Sequence, residues 1–451
     1  MRWSPAQRGP FPHPGRLVAV QVATVCVVVV AAAFLVRQLP YPSRHHFFDL
    51  TVYRDAVDWW LDGNPLYSYA KPHSRYGFTY PPFAALLMTP LTAVSQPVAM
   101  VLVTVASGAV VVVGTWWLVA PVARRAGWTP WFAVGLSIPV VYLLEPVRET
   151  IGEGNVNLFI AALVFADVIA LRRGRGWAGV GIGLAAAVKL TPAVFVLYLL
   201  LTRRWRPALT AVGTFLAATA AAFAVAPWTS VQYWAHEVWQ TSRVGSLDSP
   251  NNQSVLGMLA RLADPGRPSS VVWVLSAGGV LVLAMWRAVR AFAQGDELVG
   301  VTLTGLAGCL VSPISWSHHL VWVVPAVVVL LDVTAGSRFP GATPRFLRAQ
   351  EPAAARVAGA IRWAALAVLV AALIWCYDPH AVTRPGGDLA GVLKHDTYVV
   401  ALLVLVVVLP IRAREPGQVR GGTWRRAKES AASTWRIVSS TTSDPCPASK
   451  R

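Results

Sequence analysis

The sequence predicts an all-α polytopic membrane protein. Three observations carry that expectation: the length of the apolar runs, the scarcity of charge, and the placement of the basic residues. Runs such as 17–36 and 98–122 reach the length of about 20 residues that a helix needs to cross a hydrocarbon core of about 30 Å. Only 13% of the residues are charged, against about 25% in a soluble domain. The formal net charge of +18 sits in short loops and in the C-terminal tail. That distribution orients membrane spans and does not describe a nucleic-acid surface. Lipid offers the backbone no hydrogen-bond partner, so the runs must be helices, and the alternation of a β-barrel is absent.

The segments follow in order. Residues 1–16 carry Arg2, Arg8 and Arg16 and form a cytoplasmic N-terminus. Run 17–36 is too long for a signal-peptide core and is expected to be an uncleaved first span. Residues 37–80 form the first extracytoplasmic loop. The next three apolar stretches are 82–94, 98–122 and 131–144. If all three crossed, Arg172 would lie outside, so either 82–94 or 131–144 is re-entrant or interfacial. Arg172, Arg173 and Arg175 mark one cytoplasmic turn, and Arg203, Arg204 and Arg206 mark the next. Segment 177–202 between them is therefore a hairpin, with its tip, K-L-T-P at 189–192, pointing outward. Pro192 suits the first turn of the returning helix.

Segment 207–226 goes out, 228–270 is an outer loop, and 271–291 returns. Segment 298–311 goes out, 312–319 is an outer turn, and 320–333 returns. A basic cytoplasmic loop at 338–362 precedes the last two spans, 363–376 and 398–411. The membrane domain, 17–411, thus holds roughly ten to twelve segments by the length rule. The tail 412–451 is basic and rich in Gly, Ser, Thr and Pro, and is expected to be disordered and able to touch anionic lipid. The four cysteines show no disulfide or zinc spacing.

The polar residues of the outer turns are the candidates for chemistry. The first outer loop holds Asp49, Asp55, Asp58 and Asp62 among Tyr53, Trp59, Trp60, Tyr67, Tyr69, Tyr76 and Tyr80. Residues 49–61 read as a short amphipathic helix with Asp49, Tyr53, Ala56 and Trp60 on one face. The aromatics suit an interfacial belt or a ligand surface equally, and Asp49 suits an N-cap or a functional carboxylate. Residues 145–157 read E-P-V-R-E-T-I-G-E-G-N-V-N, Lys189 sits at the hairpin tip, 249–254 read S-P-N-N-Q-S, and 312–319 read S-P-I-S-W-S-H-H. Ionisable residues in such surroundings are costly and point to function. No metal-ligand pattern and no Gly-rich nucleotide loop accompany them. A lipid phosphate would suit Lys189 and a histidine, and a carboxylate could act as general base on a hydroxyl acceptor.

At these residues the sequence resembles a known family. F-D-L-T-V-Y from Phe48, G-N-P-L-Y from Gly63, F-T-Y-P-P-F-A-A-L-L from Phe78, G-E-G-N-V-N-L from Gly152, G-L-A-A-A-V-K-L-T-P from Gly183, N-Q-S from Asn252 and S-P-I-S-W-S-H-H from Ser312 are similar, in that order, to the bacterial polyprenol-phosphate-mannose-dependent α-(1→2)-mannosyltransferases. These form glycosyltransferase family 87, of the GT-C fold. The resemblance implies a polyprenyl-phosphate mannose donor in the outer leaflet of a bacterial plasma membrane. It implies a mannosylated glycolipid acceptor such as a phosphatidylinositol mannoside, lipomannan or lipoarabinomannan, and inversion without a covalent intermediate. It makes Asp49 the family's key acid. On that reading Lys189 and His318 or His319 stabilise the donor phosphate. Tyr53, Trp59, Trp60 and Tyr80 stack on sugars or line the lipid entrance, and Glu153, Asn155, Asn252 and Gln253 bind hydroxyls. Glu153 stands where the family often carries Gln or Asn. No metal or other cofactor is required. Two other classes compete: a lipid-linked sugar transporter, disfavoured because the polar residues gather at one face and no internal repeat is evident, and a non-catalytic scaffold. An arabinosyl or other glycosyl donor would leave much the same apolar pattern.

Overall fold

Every regular element among the described residues is helical. The computed structural model describes residues 47–126, 128–263, 268–334, 366, 369–370, 373 and 395–412. The chain divides into two units, Met1–Arg412 and Ala413–Arg451. The expected first span 17–36, loop 338–362, most of span 363–376 and the tail lie outside the described residues.

Helix α1 (Phe48–Leu61) is the amphipathic helix expected in the first outer loop; it buries Leu50, Val52, Tyr53, Ala56 and Val57. Then come α2 (Pro82–Met88), α3 (Gln96–Arg125), α4 (Pro130–Leu143), α5 (Glu145–Glu153), α6 (Asn157–Arg172), α7 (Val180–Val188) and α8 (Val194–Leu201). They are followed by α9 (Trp205–Val225), α10 (Pro227–Ala235), α11 (Val255–Leu262), α12 (Ser270–Ala293), α13 (Glu297–Val311), α14 (Val323–Thr334) and α15 (Thr397–Val408). Proline opens α2, α4 and α10, where its missing N–H and fixed φ cost nothing. Ser254 caps α11 and Asp296 caps α13 through side-chain bonds to the backbone N–H groups of Gly257 and Val299.

Helices α3, α9 and α12 are each long and apolar enough to cross a membrane, and the pair α4–α5, bent by 69°, qualifies together as a broken span or a re-entrant loop. Their outward faces are apolar: Val113 is 67% exposed, Leu209 69% and Leu275 70%. A water-facing helix would carry polar groups at such positions. Helix α13 is buried along nearly its whole length and packs against α8, α12, α14 and α15, which makes it the central element.

Ion pairs identify one end of the bundle. Arg125 pairs with Asp332 (2.7 Å), Arg412 with Asp332 (2.8 Å) and Asp296 (2.6 Å), and Arg204 with Glu297. The opposite end holds Asp49. Gln96, at the start of α3, hydrogen-bonds Thr51 of α1 (3.3 Å), so α3 runs the full length, about 45 Å at 1.5 Å per residue. The flanks of the two short segments, 82–94 and 131–144, differ. Segment 82–94 begins beside Tyr80 and is back beside Thr51 by Gln96, so α2 is a short element that returns to the end it left. Segment 131–144 travels as α4 from the Arg125 end to Glu145, whose carboxylate accepts the Tyr398 hydroxyl (2.7 Å). The hairpin also takes its expected form: α7 ends at Lys189, Pro192 lies in a 3-10 turn, and α8 returns. Segment 228–270, expected as a loop, holds α10, two 3-10 turns and α11 among its described residues.

Candidate active site

At the Asp49 end, six segments distant in sequence close around a cavity of about 390 Å³, within the range of about 300–1,000 Å³ usual for small-molecule pockets. Asp49, in the first turn of α1, lines it together with Tyr53, Tyr80, Glu153, Asn155, Lys189, His318 and His319.

The approach of α1 to α5 rests on one glycine. Gly154 ends α5 with φ +66°, and a Cβ there would stand 2.7 Å from Leu50 Cβ and 3.1 Å from Phe47 Cδ1. No side chain fits between the helix ends, so Asp49 and Asn155 can meet. Gly154→Ala is expected to destabilise the protein by more than the roughly 1–2 kcal/mol of left-handed backbone strain alone. Gly63→Ala serves as the control, since Gly63 has φ +90° but open space around it. Thermal unfolding in detergent should place Gly154→Ala well below Gly63→Ala.

Asn155 is buried, and its Nδ2 donates to Asp49 Oδ2 (2.6 Å) and to the Tyr53 hydroxyl (2.9 Å). His318 Nε2 lies 3.5 Å from the same Oδ2. Among the described residues Asp49 Oδ1 takes no hydrogen bond. The His318 backbone is held by α5 and α6: its carbonyl accepts from the Thr150 hydroxyl (2.8 Å) and from Asn157 Nδ2 (2.9 Å). Asn157 Oδ1 in turn accepts from Lys189 Nζ (2.9 Å), which fixes the only charged group of the hairpin tip.

Burial pushes the Asp49 carboxyl up from 3.8 to about 7. The neighbouring Glu153 charge adds to the rise, while the Asn155 hydrogen bond, Lys189 and Lys71 oppose it. Burial also pushes the His319 imidazole well below its usual range, with Lys189 and His318 acting in the same direction. His319 is therefore neutral. Its Nδ1 accepts the Trp316 backbone N–H (3.3 Å), which leaves its proton on Nε2. No group of three or more His, Cys, Asp or Glu residues suited to a metal occurs among the described residues.

Residues 78–313, more than half of the chain, match the model of glycosyltransferase family 87. The chain belongs to glycosyltransferase family 87. It is 36% identical over 332 residues to a polyprenol-phosphate-mannose-dependent alpha-(1-2)-phosphatidylinositol mannoside mannosyltransferase of Mycolicibacterium smegmatis, covering 68% of this chain and 74% of that protein. It is 38% identical over 301 residues to the protein so named in Mycobacterium tuberculosis, covering 62% and 69%. A Mycolicibacterium smegmatis polyprenol-phosphate-mannose-dependent alpha-(1-2)-phosphatidylinositol pentamannoside mannosyltransferase is 33% identical over 323 residues, covering 69% and 76%. No solved structure matches the chain significantly.

The family 87 match includes Tyr80, Glu153, Asn155 and Lys189, and leaves Asp49, Tyr53, His318 and His319 outside its ends. The fold brings all eight together. It does not bring in the remaining expected ligands of this family 87 chain. Asn252 and Gln253 are fully buried, and their amides are spent on backbone. Asn252 Nδ2 donates to the carbonyls of Leu247 (3.0 Å) and Pro313 (3.1 Å), and its Oδ1 accepts from Ser315 N (3.0 Å). Gln253 Nε2 donates to Pro250 and His395 carbonyls (both 2.7 Å), and its Oε1 accepts from Tyr398 N (3.1 Å) and Val399 N (3.2 Å). They tie the 249–254 turn to the 312–319 turn and to α15, and neither lines the cavity. Trp59 and Trp60 also lie off the cavity: Trp59 Nε1 donates to Ser68 Oγ (3.3 Å), and Trp60 packs against the core.

Sequence reasoning passed over Asn157, the second Asn of the N-V-N stretch, whose spacing of two from Asn155 was the available signal. It also passed over Glu237 and Arg243. These two pair across the far wall of the cavity and carry no motif.

Proposed function

We propose that this chain is a polyprenol-phosphate-mannose-dependent α-(1→2)-mannosyltransferase acting on a phosphatidylinositol mannoside. The observation that carries the reading is Asp49: a carboxylate oriented by Asn155 through one oxygen, with the other open to a cavity that also holds a fixed Lys189. The acceptor hydroxyl donates to Asp49 Oδ1 and attacks the anomeric carbon. Asp49 takes its proton, and the bond from that carbon to the phosphate oxygen breaks with its electron pair leaving on the phosphate. Phosphate needs charge stabilisation and not full protonation, which suits Lys189. His319, being neutral, supplies an N–H and no charge. His318, beside Asp49, favours the proton-accepting side of the reaction.

The end rich in Arg124, Arg125, Arg172, Arg204 and Arg412 is read as cytoplasmic by the excess of basic residues on that side. The cavity then faces the extracytoplasmic leaflet, where a lipid-linked donor reaches it laterally. That placement accords with the GT-C fold that the sequence resemblance implies. The test is transfer from a polyprenyl-phosphate mannose donor to a phosphatidylinositol mannoside in membranes containing the protein, with linkage analysis of the product. Absence of a new α-(1→2) mannose rules the reading out.

The titration of Asp49 sets the pH dependence. A base works when deprotonated, so the transfer rate is expected to rise with pH through a limb near 7, where Asp49 ionises. Glu153→Gln removes a like charge and moves that limb to lower pH. The limb should stay above the ordinary carboxylate range, because burial, the larger cause, remains. A pH profile of kcat for both proteins checks the sign and the order of the two contributions.

A further inference from the structure

The hydrogens around Tyr80 can be counted. Asn155 Oδ1 accepts the Asn157 backbone N–H (3.0 Å), which fixes the amide so that Nδ2 faces away from it. Nδ2 carries two hydrogens, and both are spent, one on Asp49 and one on the Tyr53 hydroxyl. Tyr53 is thus an acceptor at that contact, and its own hydrogen needs another oxygen. Tyr53 is 4% exposed, and the hydroxyl oxygen it reaches is that of Tyr80, 2.9 Å away. Tyr53 therefore donates and Tyr80 accepts. Tyr80 keeps its own hydrogen, and among the described residues no acceptor takes it. Tyr80 is 9% exposed and lines the cavity, so this hydrogen is available to a ligand there and to little else.

Two further contacts set its position. The Tyr67 hydroxyl donates to the Tyr80 carbonyl (2.9 Å), and Lys189 Nζ lies 5.5 Å from the Tyr80 ring centre. We propose that the Tyr80 hydroxyl donates a hydrogen bond to the departing phosphate of the lipid-linked donor, beside Lys189. The assignment rests on the mannosyltransferase reading. The acceptor hydroxyl has its own partner in Asp49, whereas an oxyanion accepts only, and donors beside a cation are what it requires. No proton moves from Tyr80: the phenol keeps its hydrogen while the electron pair of the broken bond stays on the phosphate. Burial and the Asp49 charge push the Tyr80 phenol up, so it remains a donor throughout the working pH range.

The test uses the full-length protein in detergent with polyprenyl-phosphate mannose and a phosphatidylinositol mannoside. Tyr80→Phe is expected to lower kcat about tenfold and to weaken product inhibition by polyprenyl phosphate several-fold, with the KM for the acceptor unchanged. Tyr53→Phe keeps the Tyr80 hydroxyl but removes its orienting donor, and is expected to cost only about two- to threefold. Should Tyr80→Phe fold poorly, 3-fluorotyrosine at position 80 makes a stronger donor and should tighten polyprenyl phosphate. Kinetics and product inhibition within twofold of the parent for Tyr80→Phe, or unchanged product inhibition with the fluorinated residue, overturn the proposal. Parent protein that transfers no mannose overturns the mannosyltransferase reading and this inference with it; robust parent transfer that is indifferent to Tyr80 overturns the inference alone.

Discussion

Asp49→Asn is expected to reduce mannosyl transfer about a thousandfold, with the protein still inserted and folded. The substitution keeps the shape of the side chain, and the amide oxygen can still accept from Asn155 Nδ2, the bond that joins α1 to the turn after α5. What it removes is the lone basic oxygen facing the cavity. General-base catalysis contributes about 10²–10⁴ in rate, and a thousandfold loss corresponds to roughly 4 kcal/mol in the barrier. The loss should appear in kcat and not in the KM of either substrate, because the proton is transferred only in the transition state. The residual rate should also lose its limb near pH 7, since the group titrating there is gone. Transfer within threefold of the parent would remove Asp49 from the reaction. Comparison with His318→Asn separates the two members of the pair: His318 lies 3.5 Å from Asp49 Oδ2, and its loss should leave the limb in place.

Lys189→Met should be the second most damaging change, about a hundredfold in kcat/KM. The Lys189 ammonium is held by Asn157 Oδ1 at 2.9 Å and faces both the main cavity and a small cavity of about 30 Å³ beneath it. Met preserves the length and apolar stem while deleting the charge, so the hairpin tip between α7 and α8 keeps its packing. Removing one preorganised donor to a developing oxyanion costs about 10²–10³. A second readout distinguishes a charge effect from a structural one. Lys189 draws the Asp49 carboxyl down against burial, so its removal should move the pH limb upward, opposite to the shift expected for Glu153→Gln. A limb that stays in place, with rate loss matched by loss of folded protein, would reduce Lys189 to a structural residue.

Glu153 shows why the turn after α5 tunes the site and does not only build it. The left-handed Gly154 turns the chain so that Glu153 and Asn155 both reach the cavity. One raises the Asp49 carboxyl and the other lowers it. A neutral residue at 153 would leave a stronger acid and a weaker base at position 49.

The sequence by itself determined that long apolar runs are helices, because a backbone in lipid must satisfy its own hydrogen bonds, and run length alone reports that requirement. Helices α3, α9, α12 and α13 fall within a few residues of the runs that predicted them. Arginine placement was equally readable: Arg125, Arg204 and Arg412 gather at the end away from Asp49, since charges cannot rest in the apolar middle. The tertiary structure alone distinguished the flanks of 82–94 and 131–144. Both are short and apolar, and only the contacts of their flanks, Thr51 with Gln96 and Glu145 with Tyr398, tell them apart. It alone separated the amides. Asn155 and Asn252 look alike in one dimension, each polar in an outer turn. Asn252 is consumed by the carbonyls of Leu247 nearby and of Pro313, more than fifty residues away, while Asn155 is turned by the Asn157 N–H toward Asp49. A hydrogen-bonding side chain becomes a ligand or a strut according to which partners the fold brings within about 3 Å of it, and those partners lie far away in the chain.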